Sequence, residues 1–192
     1  VWLTDDPGRS DNNRTKAVWS KWENGSWTEP EAIDDDGTAD FEPEIEILPN
    51  GDALATWVNC SQVLSDDADL EDLLKTSEIM VARYDSASGN WGAIQRMTND
   101  SYLEHTPHLS IAEDGTVMLA WIGNPTNHPI GTSSQPNQIW CSRFDGTSWS
   151  PPVLIADNIG TILKSDLAYD GQNAVYVYSS DMDDDLSTEE DH

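Results

Sequence analysis

Two short phrases recur along this chain at a regular interval, and this recurrence constrains the fold more than any other sequence feature. The first phrase reads SKWENGSWTEPEAI at 20–33, ARYDSASGNWGAIQRM at 82–97 and SRFDGTSWSPPVLIA at 142–156. Each copy begins with a small, a basic, an aromatic and an acidic residue, and a tryptophan follows a turn of variable length. These tryptophans, Trp27, Trp91 and Trp149, lie 64 and 58 residues apart. Periods of this length are typical of proteins built from stacked units.

The second phrase recurs at the same interval and predicts β-hairpins. It reads PEIEILPNGDALATW at 43–57 and PHLSIAEDGTVMLAW at 107–121, and a shortened copy, SDLAYDGQNAVYVY, occupies 165–178. Apolar and polar residues alternate within each half, and an Asn-Gly or Asp-Gly pair separates the halves. Each unit of about 60 residues therefore holds four strands, A to D. The second phrase supplies A and B, and the first supplies C and D.

This strand pattern predicts an all-β chain of the β-propeller class, with four-stranded antiparallel blades. A β-sandwich of hairpins would not explain why the same residue types return at fixed positions. The strand order B-C-D, A-B-C-D, A-B-C-D, A-B amounts to about three blades, at approximately 1–40, 41–104, 105–164 and a partial 165–192. Because propellers usually close with four to eight blades, we expect either the remaining blades of a larger chain or self-association.

The first phrase resembles the Asp-box hairpin of sialidase-like (BNR-type) propellers, whose usual form is Ser-x-Asp-x-Gly-x-x-Trp. The matching residues are Ser20, Glu23, Gly25 and Trp27 in the first copy and Ser142, Asp145, Gly146 and Trp149 in the third. Two residues instead of one separate the serine from the acid, and the middle copy has Ala82 in place of the serine. The resemblance implies propeller architecture along the whole chain. It implies no activity, because Asp boxes are structural and occur in many non-enzymes.

The chain is strongly acidic, with 36 Asp and Glu against nine Lys and Arg and a net charge of −27. Such a field repels nucleic acid and anionic membranes, so neither is an expected partner. No apolar run approaches the roughly 20 residues that a membrane-spanning helix needs, so membrane insertion is not expected. Three explanations of the acidity remain open: adaptation to salt, calcium loading outside the cell, and the solubility of a secreted repeat protein.

Cysteines and glycosylation sequons give little functional information. Cys60 and Cys141 fit neither a disulfide framework nor a zinc site, and we predict two buried thiols, with pairing between them left open. Four Asn-x-Ser/Thr sequons fall in predicted loops or at strand ends, where glycosylation would be permitted. They begin at Asn13, Asn24, Asn59 and Asn99.

The residues that recur in every copy are predicted to be structural. The recurring tryptophans should pack between blades, with their indole N–H groups bonded to neighbouring backbone; they are Trp2, Trp27, Trp57, Trp91, Trp121 and Trp149. Lys21, Arg83 and Arg143 should form a repeated ion pair or surface row. The acids that follow them, Glu23, Asp85 and Asp145, should cap their turns.

A ligand is expected where the blades differ, on the loops at one end. The B–C loops (4–15, 59–77 and 123–138) and the D–A loops (34–42, 98–106 and 157–164) emerge at that end, and residues 67–75 predict a helical turn or two. The binding-face candidates are Tyr102, His105, His108 and His128.

An acidic cluster near the end of the sequence is the strongest candidate for a metal site. Asp181, Asp183 and Asp185 have the spacing of the first three ligands of an EF-hand. Leu186 replaces the glycine that the turn needs, however, and His192 stands where the bidentate glutamate belongs. A looser Ca²⁺ site of carboxylates and carbonyls therefore remains an alternative to a solvated loop, and no other cofactor is predicted.

Two classes of function remain. The first is a non-enzymatic propeller module of an exported or cell-surface protein, for adhesion, scaffolding or protein or glycan binding. The alternative is a sialidase-like glycoside hydrolase whose catalytic residues lie partly outside this chain. The hydrolase would need a cluster of arginines, but the sequence has only five, and no triad can be assembled from different blades. The non-enzymatic module is therefore favoured.

Overall fold

The computed structural model describes residues 1–181, 184 and 185, and these residues form a succession of antiparallel β-sheets. The prediction of an all-β chain with antiparallel sheets is confirmed. The first sheet has the order β1-β2-β5, and a ribbon of β3 and β4 adjoins it. Its strands are β1 (Trp2–Asp5), β2 (Thr15–Trp19), β3 (Trp22–Glu23), β4 (Ser26–Trp27) and β5 (Glu31–Ala32), with a 3₁₀ turn at Asp11–Asn13.

A five-stranded sheet, a four-stranded sheet and a final hairpin follow along the chain. The second sheet contains β6 (Asp40–Ile47), β7 (Ala53–Cys60), β8 (Ser77–Asp85), β9 (Asn90–Trp91) and β10 (Gln95–Arg96), with helix α1 (Leu70–Leu74) in its long loop. The third contains β11 (Leu103–Ile111), β12 (Val117–Asn124), β13 (Asn137–Phe144) and β14 (Val153–Ile159). The fourth pairs β15 (Thr161–Tyr169) with β16 (Ala174–Asp181). The predicted helical segment is thus confirmed.

The first strand of each of the last three sheets extends further into the predicted D–A loops than expected. Strands β6, β11 and β15 begin at Asp40, Leu103 and Thr161, inside segments predicted to be loops. The cause is an irregularity in each ladder, which lies between Phe41 and Glu44 in β6. A bulge shifts the alternation of side chains by one residue, so the period-2 pattern is lost where the strand continues.

The first strands of neighbouring sheets are joined by hydrogen bonds from side chain to backbone. Glu42 accepts a hydrogen bond from the Thr106 N–H, and Glu44 accepts one from the Leu109 N–H, both at 2.6 Å. The Ser110 hydroxyl accepts a hydrogen bond at 2.9 Å from a backbone N–H of β15, the first strand of the fourth sheet. These bonds place β6, β11 and β15 side by side.

The three tryptophan hairpins share one backbone hydrogen bond. The residue after the tryptophan donates to the carbonyl of the basic residue, in the pairs Thr28–Lys21 (2.9 Å), Gly92–Arg83 (2.8 Å) and Ser150–Arg143 (2.8 Å). In the first and third copies, the hydroxyls of Ser20 and Ser142 also donate to the carbonyls of Thr28 and Ser150 at 2.7 Å. Ala82 cannot make this bond in the middle copy. The hairpins therefore have equivalent local geometry despite their different turns.

The recurring acids behave as predicted in two of the three copies. Asp85 and Asp145 accept hydrogen bonds from backbone N–H groups of their own turns. For Glu23 the prediction is wrong, because the carboxylate instead pairs with Lys21 at 3.4 Å. The turn there is the two-residue Asn24-Gly25, with positive φ at both positions, and such a turn closes without a side-chain cap.

The recurring basic residues do not form one repeated contact. Arg83 donates from Nε and Nη2 to Asp52 at 3.1 and 2.7 Å, and Ser86 donates to the same carboxylate. The hydrogen bonds from Ser86 and Arg83 hold the pKa of Asp52 well below its usual range. Arg143, by contrast, donates to the Tyr169 hydroxyl at 2.7 Å. Both residues link a strand to a hairpin turn, but the prediction of a repeated ion pair is wrong, because the partner of Arg143 is a tyrosine hydroxyl.

The tryptophans divide into buried and exposed groups. Trp57 and Trp121 are 0% and 1% exposed and pack in apolar clusters, which confirms the predicted packing. Neither indole N–H bonds to backbone, and that of Trp121 instead lies against the Glu104 carboxyl group, so the predicted bonds to backbone are wrong. Trp2 and Trp27 are 42% and 66% exposed, so for them the prediction of packing is also wrong.

Two of the four sequons are inaccessible, contrary to prediction. Asn13 is buried, donating to the Leu64 carbonyl at 2.7 Å and accepting from its N–H at 2.8 Å. Asn59 is buried and donates to Asp40 at 2.9 Å. Their amides form the hydrogen bonds that hold the loops, and such amides cannot carry a glycan. Cys60 is buried and Cys141 half-buried, and both are free thiols.

Candidate functional site

The predicted binding-face residues occupy three different environments. Tyr102 is exposed just before β11, and His128 lies in the β12–β13 loop. His108 lies within β11, where Nδ1 is 3.4 Å from a Glu44 oxygen and Nε2 is 3.1 Å from the Ser165 hydroxyl. The carboxylate raises the pKa of His108. His108 therefore links three neighbouring first strands, which is a structural role.

His105 lies at the loop end of β11 and lines a cavity of about 300 Å³, here called the loop-face pocket. Its Nδ1 is 2.9 Å from the Thr106 hydroxyl, and its Nε2 is buried without a hydrogen-bond partner. The neighbouring Glu104 lines the same pocket and is only 3% exposed. Its carboxyl group lies against the indole N–H of Trp121 and over Gly123 of β12. Apolar side chains from five elements form most of the remaining wall: Leu3, Phe41, Val58, Leu73, Leu74 and Leu103.

Burial shifts both of these groups towards their neutral forms. It raises the pKa of Glu104 from 4.5 to about 9, and the nearby Asp100 and Glu78 add to the shift, which the indole of Trp121 offsets only in part. Burial also lowers the pKa of His105 to about 4. At neutral pH Glu104 is thus a carboxylic acid and His105 an uncharged imidazole, and regular pairing with Gly123 and Ile122 places them on opposite faces of the sheet. Each can donate one hydrogen bond and accept others.

Sequence reasoning missed Glu104, although one signal was present. Glu104 stands 64 residues after Asp40, which is buried at the equivalent position and has its pKa raised by burial to about 6. Asp40 accepts hydrogen bonds from the Ala17 N–H and from Asn59, both at 2.9 Å. An acid at the same buried position in two copies is a pattern that the sequence contains.

The metal site predicted at Asp181, Asp183 and Asp185 lies partly outside the described residues, because Asp183, Leu186 and His192 are not among them. Asp181 is buried at the end of β16. Within residues 1–181, 184 and 185, no group of three or more His, Cys, Asp and Glu side chains is placed to hold a metal ion. Calcium binding by this cluster stays a prediction.

We expect molar potassium chloride to raise the melting temperature of the chain. At a net charge of −27 the like charges of the folded chain repel one another. In 1 M salt the Debye length is only about 3 Å, so the repulsion between charges farther apart than this is largely screened. Thermal melts in chelator, in calcium and in potassium chloride would measure this. Stabilisation by low-millimolar calcium with no response to potassium chloride would contradict it.

A second cavity, of about 440 Å³, lies between the first and second sheets and is here called the aromatic cleft. Its floor consists of three packed aromatic rings. The ring centroid of Trp19 lies 4.9 Å from that of Tyr84 and 5.7 Å from that of Trp91. Trp22 and Trp27 of the β3–β4 ribbon also line the cleft, as an edge-to-face pair 5.7 Å apart. They are 59% and 66% exposed. Five aromatic rings thus border one open cavity.

Polar groups occur on one side of this cleft. Lys21 lines it, and its ammonium lies 3.4 Å from the Glu23 carboxylate, with both side chains nearly half exposed. The pair offers donors and an acceptor beside aromatic surface. Sequence reasoning missed the cleft because it assigned every recurring tryptophan to packing. One signal was available, since only the first copy has tryptophan, at Trp22, in the aromatic position before the acid.

The five arginines are engaged away from both cavities. Their closest polar partners are, in order, Asp35 for Arg9, Asp11 for Arg14, Asp52 for Arg83, Asn99 for Arg96 and Tyr169 for Arg143. None of the five is among the residues that line the aromatic cleft or the loop-face pocket. Neither cavity therefore offers a guanidinium group to an anionic ligand.

Comparison with known proteins does not assign this chain to a family. Neither a scan against protein-family models nor a search of curated proteins found a match to this chain. Among the described residues, no helix has both the length and the apolar character to cross a bilayer.

Proposed function

We propose that this chain is a segment of a sialidase-like β-propeller and that it serves as a non-enzymatic, glycan-binding module of an exported or cell-surface protein. Three features support the propeller. The sheets are successive antiparallel meanders, their first strands lie side by side, and their hairpins share equivalent hydrogen bonds. Blades that radiate from an axis would have these relations.

The aromatic cleft carries the proposal of glycan binding. In the second sheet, the equivalents of Trp22 and Trp27 are Tyr84 and Trp91, which pack against Trp19. Within the described residues no sheet covers Trp22 and Trp27 in this way, and they are 59% and 66% exposed. Exposed apolar surface of this kind marks a binding site. Aromatic faces fit the C–H faces of sugar rings, and the Lys21–Glu23 pair can bind ring hydroxyls.

The charge of the chain selects the kind of glycan. A net charge of −27 repels sialylated, sulfated and uronic-acid-containing chains, and no arginine lines the cleft to offset that repulsion. The ligand is therefore an uncharged oligosaccharide. The cleft of about 440 Å³ lies in the size range of small-ligand sites.

Replacing Trp27 with alanine is expected to weaken binding of a neutral oligosaccharide at least tenfold, because one stacking face is lost. Maltohexaose, cellohexaose and chitohexaose are suitable probes, titrated by calorimetry and by tryptophan fluorescence. Trp22→Ala should have a similar effect. Val63→Ala is the matched control, since Val63 is 64% exposed but does not line the cleft.

Three outcomes would count against this proposal. They are the absence of binding by the unchanged chain, equal affinities for unchanged and Trp27→Ala chains, and tighter binding of a sialylated oligosaccharide. Release of reducing sugar from any probe would support the hydrolase alternative. Because Trp27 is exposed, its replacement should change the free energy of unfolding by only about 0.5 kcal/mol, so lost binding would not reflect unfolding.

A further inference from the structure

The sheets of this chain stack through one recurring arrangement. In the second and third sheets, Trp57 and Trp121 occupy equivalent positions and are 0% and 1% exposed. Trp57 shares an apolar cluster with Ala17 of the first sheet. Trp121 shares one with Leu54 and Val58 of the second sheet. This tryptophan position therefore faces the preceding sheet and is buried by it.

The first sheet presents the same position to solvent. Trp2 is the equivalent of Trp57 and Trp121, but it is 42% exposed. Its neighbours face the second sheet, because Val1 belongs to an apolar cluster with that sheet and Leu3 lines the loop-face pocket. Since successive side chains of a strand point to opposite faces, Trp2 lies on the outward face of β1. That face thus carries the indole that a preceding sheet would bury.

The fourth sheet has an apolar outward face as well. Tyr176 of β16 packs in an apolar cluster with Ile122 and Ile139 of the third sheet. Val175 and Val177, on either side of Tyr176, therefore point away from the third sheet. They are 59% and 56% exposed. Two valines thus stand on the face that a following sheet would cover.

The position of Val175 is one that covers the next tryptophan within the chain. Its equivalent in the second sheet is Leu54, which is 2% exposed and shares an apolar cluster with Trp121 of the third. The outward faces of the fourth and first sheets are therefore the two halves of an interface that the chain already forms between its own sheets. Exposed apolar surface of this kind favours association, because burial removes it from water.

We propose that two copies of this chain associate head to tail, with the fourth sheet of each copy stacked on the first sheet of the other. Val175 and Val177 of one copy cover Trp2 of the other copy. Such an interface joins unlike surfaces, and it forms a closed ring when the rotation between copies returns to the start. Each copy has four successive sheets, so two copies hold eight, which is within the range at which propellers close. The proposal rests on the stacking of the sheets and is independent of glycan binding.

The acidity of the chain determines how this association responds to salt. Two copies, each with a net charge of −27, repel one another, whereas the residues that join them are apolar. Potassium chloride screens the repulsion, so association should be tighter in molar salt than at low ionic strength. Because the fourth sheet contributes only two strands, the interface is small, and small interfaces are weak.

Sedimentation equilibrium in 1 M potassium chloride, from about 10 µM to about 1 mM chain, measures the association. We expect an equilibrium between single chains and pairs, with no larger species. Trp2→Ala and Val177→Asp should each weaken pairing at least tenfold. Val63→Asp is the matched control, because Val63 is 64% exposed in the loop between β7 and β8 and receives the same new charge. It should pair like the unchanged chain.

A mixture of the two weakened variants tests the head-to-tail arrangement. The Trp2→Ala copy keeps Val177, and the Val177→Asp copy keeps Trp2, so one contact of the ring stays intact. The mixture should therefore pair more tightly than either variant alone at the same total concentration. A pair that joined like faces would respond to only one of the two substitutions. Circular dichroism of both variants as single chains checks that they fold, since both side chains are exposed.

Four results would overturn this proposal. They are single chains at every concentration and salt, assemblies that grow beyond two copies, equal pairing of the unchanged and Val177→Asp chains, and a mixture that pairs no more tightly than its components. None of these results bears on the oligosaccharide test, which changes Trp22 and Trp27. The two proposals therefore fail separately.

Discussion

The Glu104→Gln chain is expected to be more stable than the unchanged chain at pH 8 by roughly 3–5 kcal/mol, and about equally stable at pH 4. Folding raises the pKa of Glu104 from 4.5 to about 9, so between these values the folded chain holds a proton that the unfolded chain releases. The free energy of unfolding therefore falls as pH rises, by up to about 1.4 kcal/mol for each pH unit. Glutamine cannot ionise, so the variant loses this dependence.

Urea denaturation of both chains from pH 4 to pH 9 measures the effect. Other buried acids, among them Asp40 and Glu78, also have raised pKa values, so the quantity of interest is the difference between the two chains. Asp40→Asn serves as a control for a hydrogen-bonded acid; because Asp40 accepts from Ala17 and Asn59, its replacement should destabilise the chain. A difference between the Glu104→Gln and unchanged chains that does not grow with pH would contradict the prediction.

The strand pattern could be predicted from the sequence because each strand carries a local signal. Alternation of apolar and polar residues, with Asn-Gly and Asp-Gly turns, places β7, β12 and their partners correctly. The predicted starts of β6 and β11 are wrong, because the bulges at Glu42 and Thr106 interrupt that alternation. A bulge is set by how neighbouring sheets meet, which no short stretch of sequence specifies.

The two cavities could not be predicted for a related reason. Recurrence indicates that a residue has an equivalent position, but its burial depends on whether a neighbouring sheet covers it. Trp57 and Trp27 both recur, yet the first is fully buried and the second is 66% exposed. Likewise, Asp40 and Glu104 are equivalent, but Asp40 accepts a hydrogen bond from Ala17 in the sheet beside it, whereas Glu104 lies against Trp121 of its own sheet. Function in this chain is thus inferred from differences between copies.

Trp121→Ala is expected to reduce the free energy of unfolding by about 3–5 kcal/mol. Trp121 is 1% exposed and belongs to an apolar cluster of the described residues that also contains Leu54, Ile79 and Leu119 from the second and third sheets. Removing the indole leaves a cavity between sheets that the paired strands cannot close. The total stability of a domain is only about 5–15 kcal/mol, so this single change removes a large part of it.

Trp2 provides the matched control, because it occupies the equivalent sequence position but is 42% exposed. Trp2→Ala should cost about 1 kcal/mol, in proportion to the smaller area removed from water. If Trp121→Ala does not fold, Trp121→Phe should still give a measurable transition, because it keeps part of the buried ring. Urea midpoints and slopes of the variants measure the loss. Equal losses at Trp2 and Trp121 would mean that burial between sheets does not determine the stability of this chain, and the stacked arrangement would lose its main energetic support.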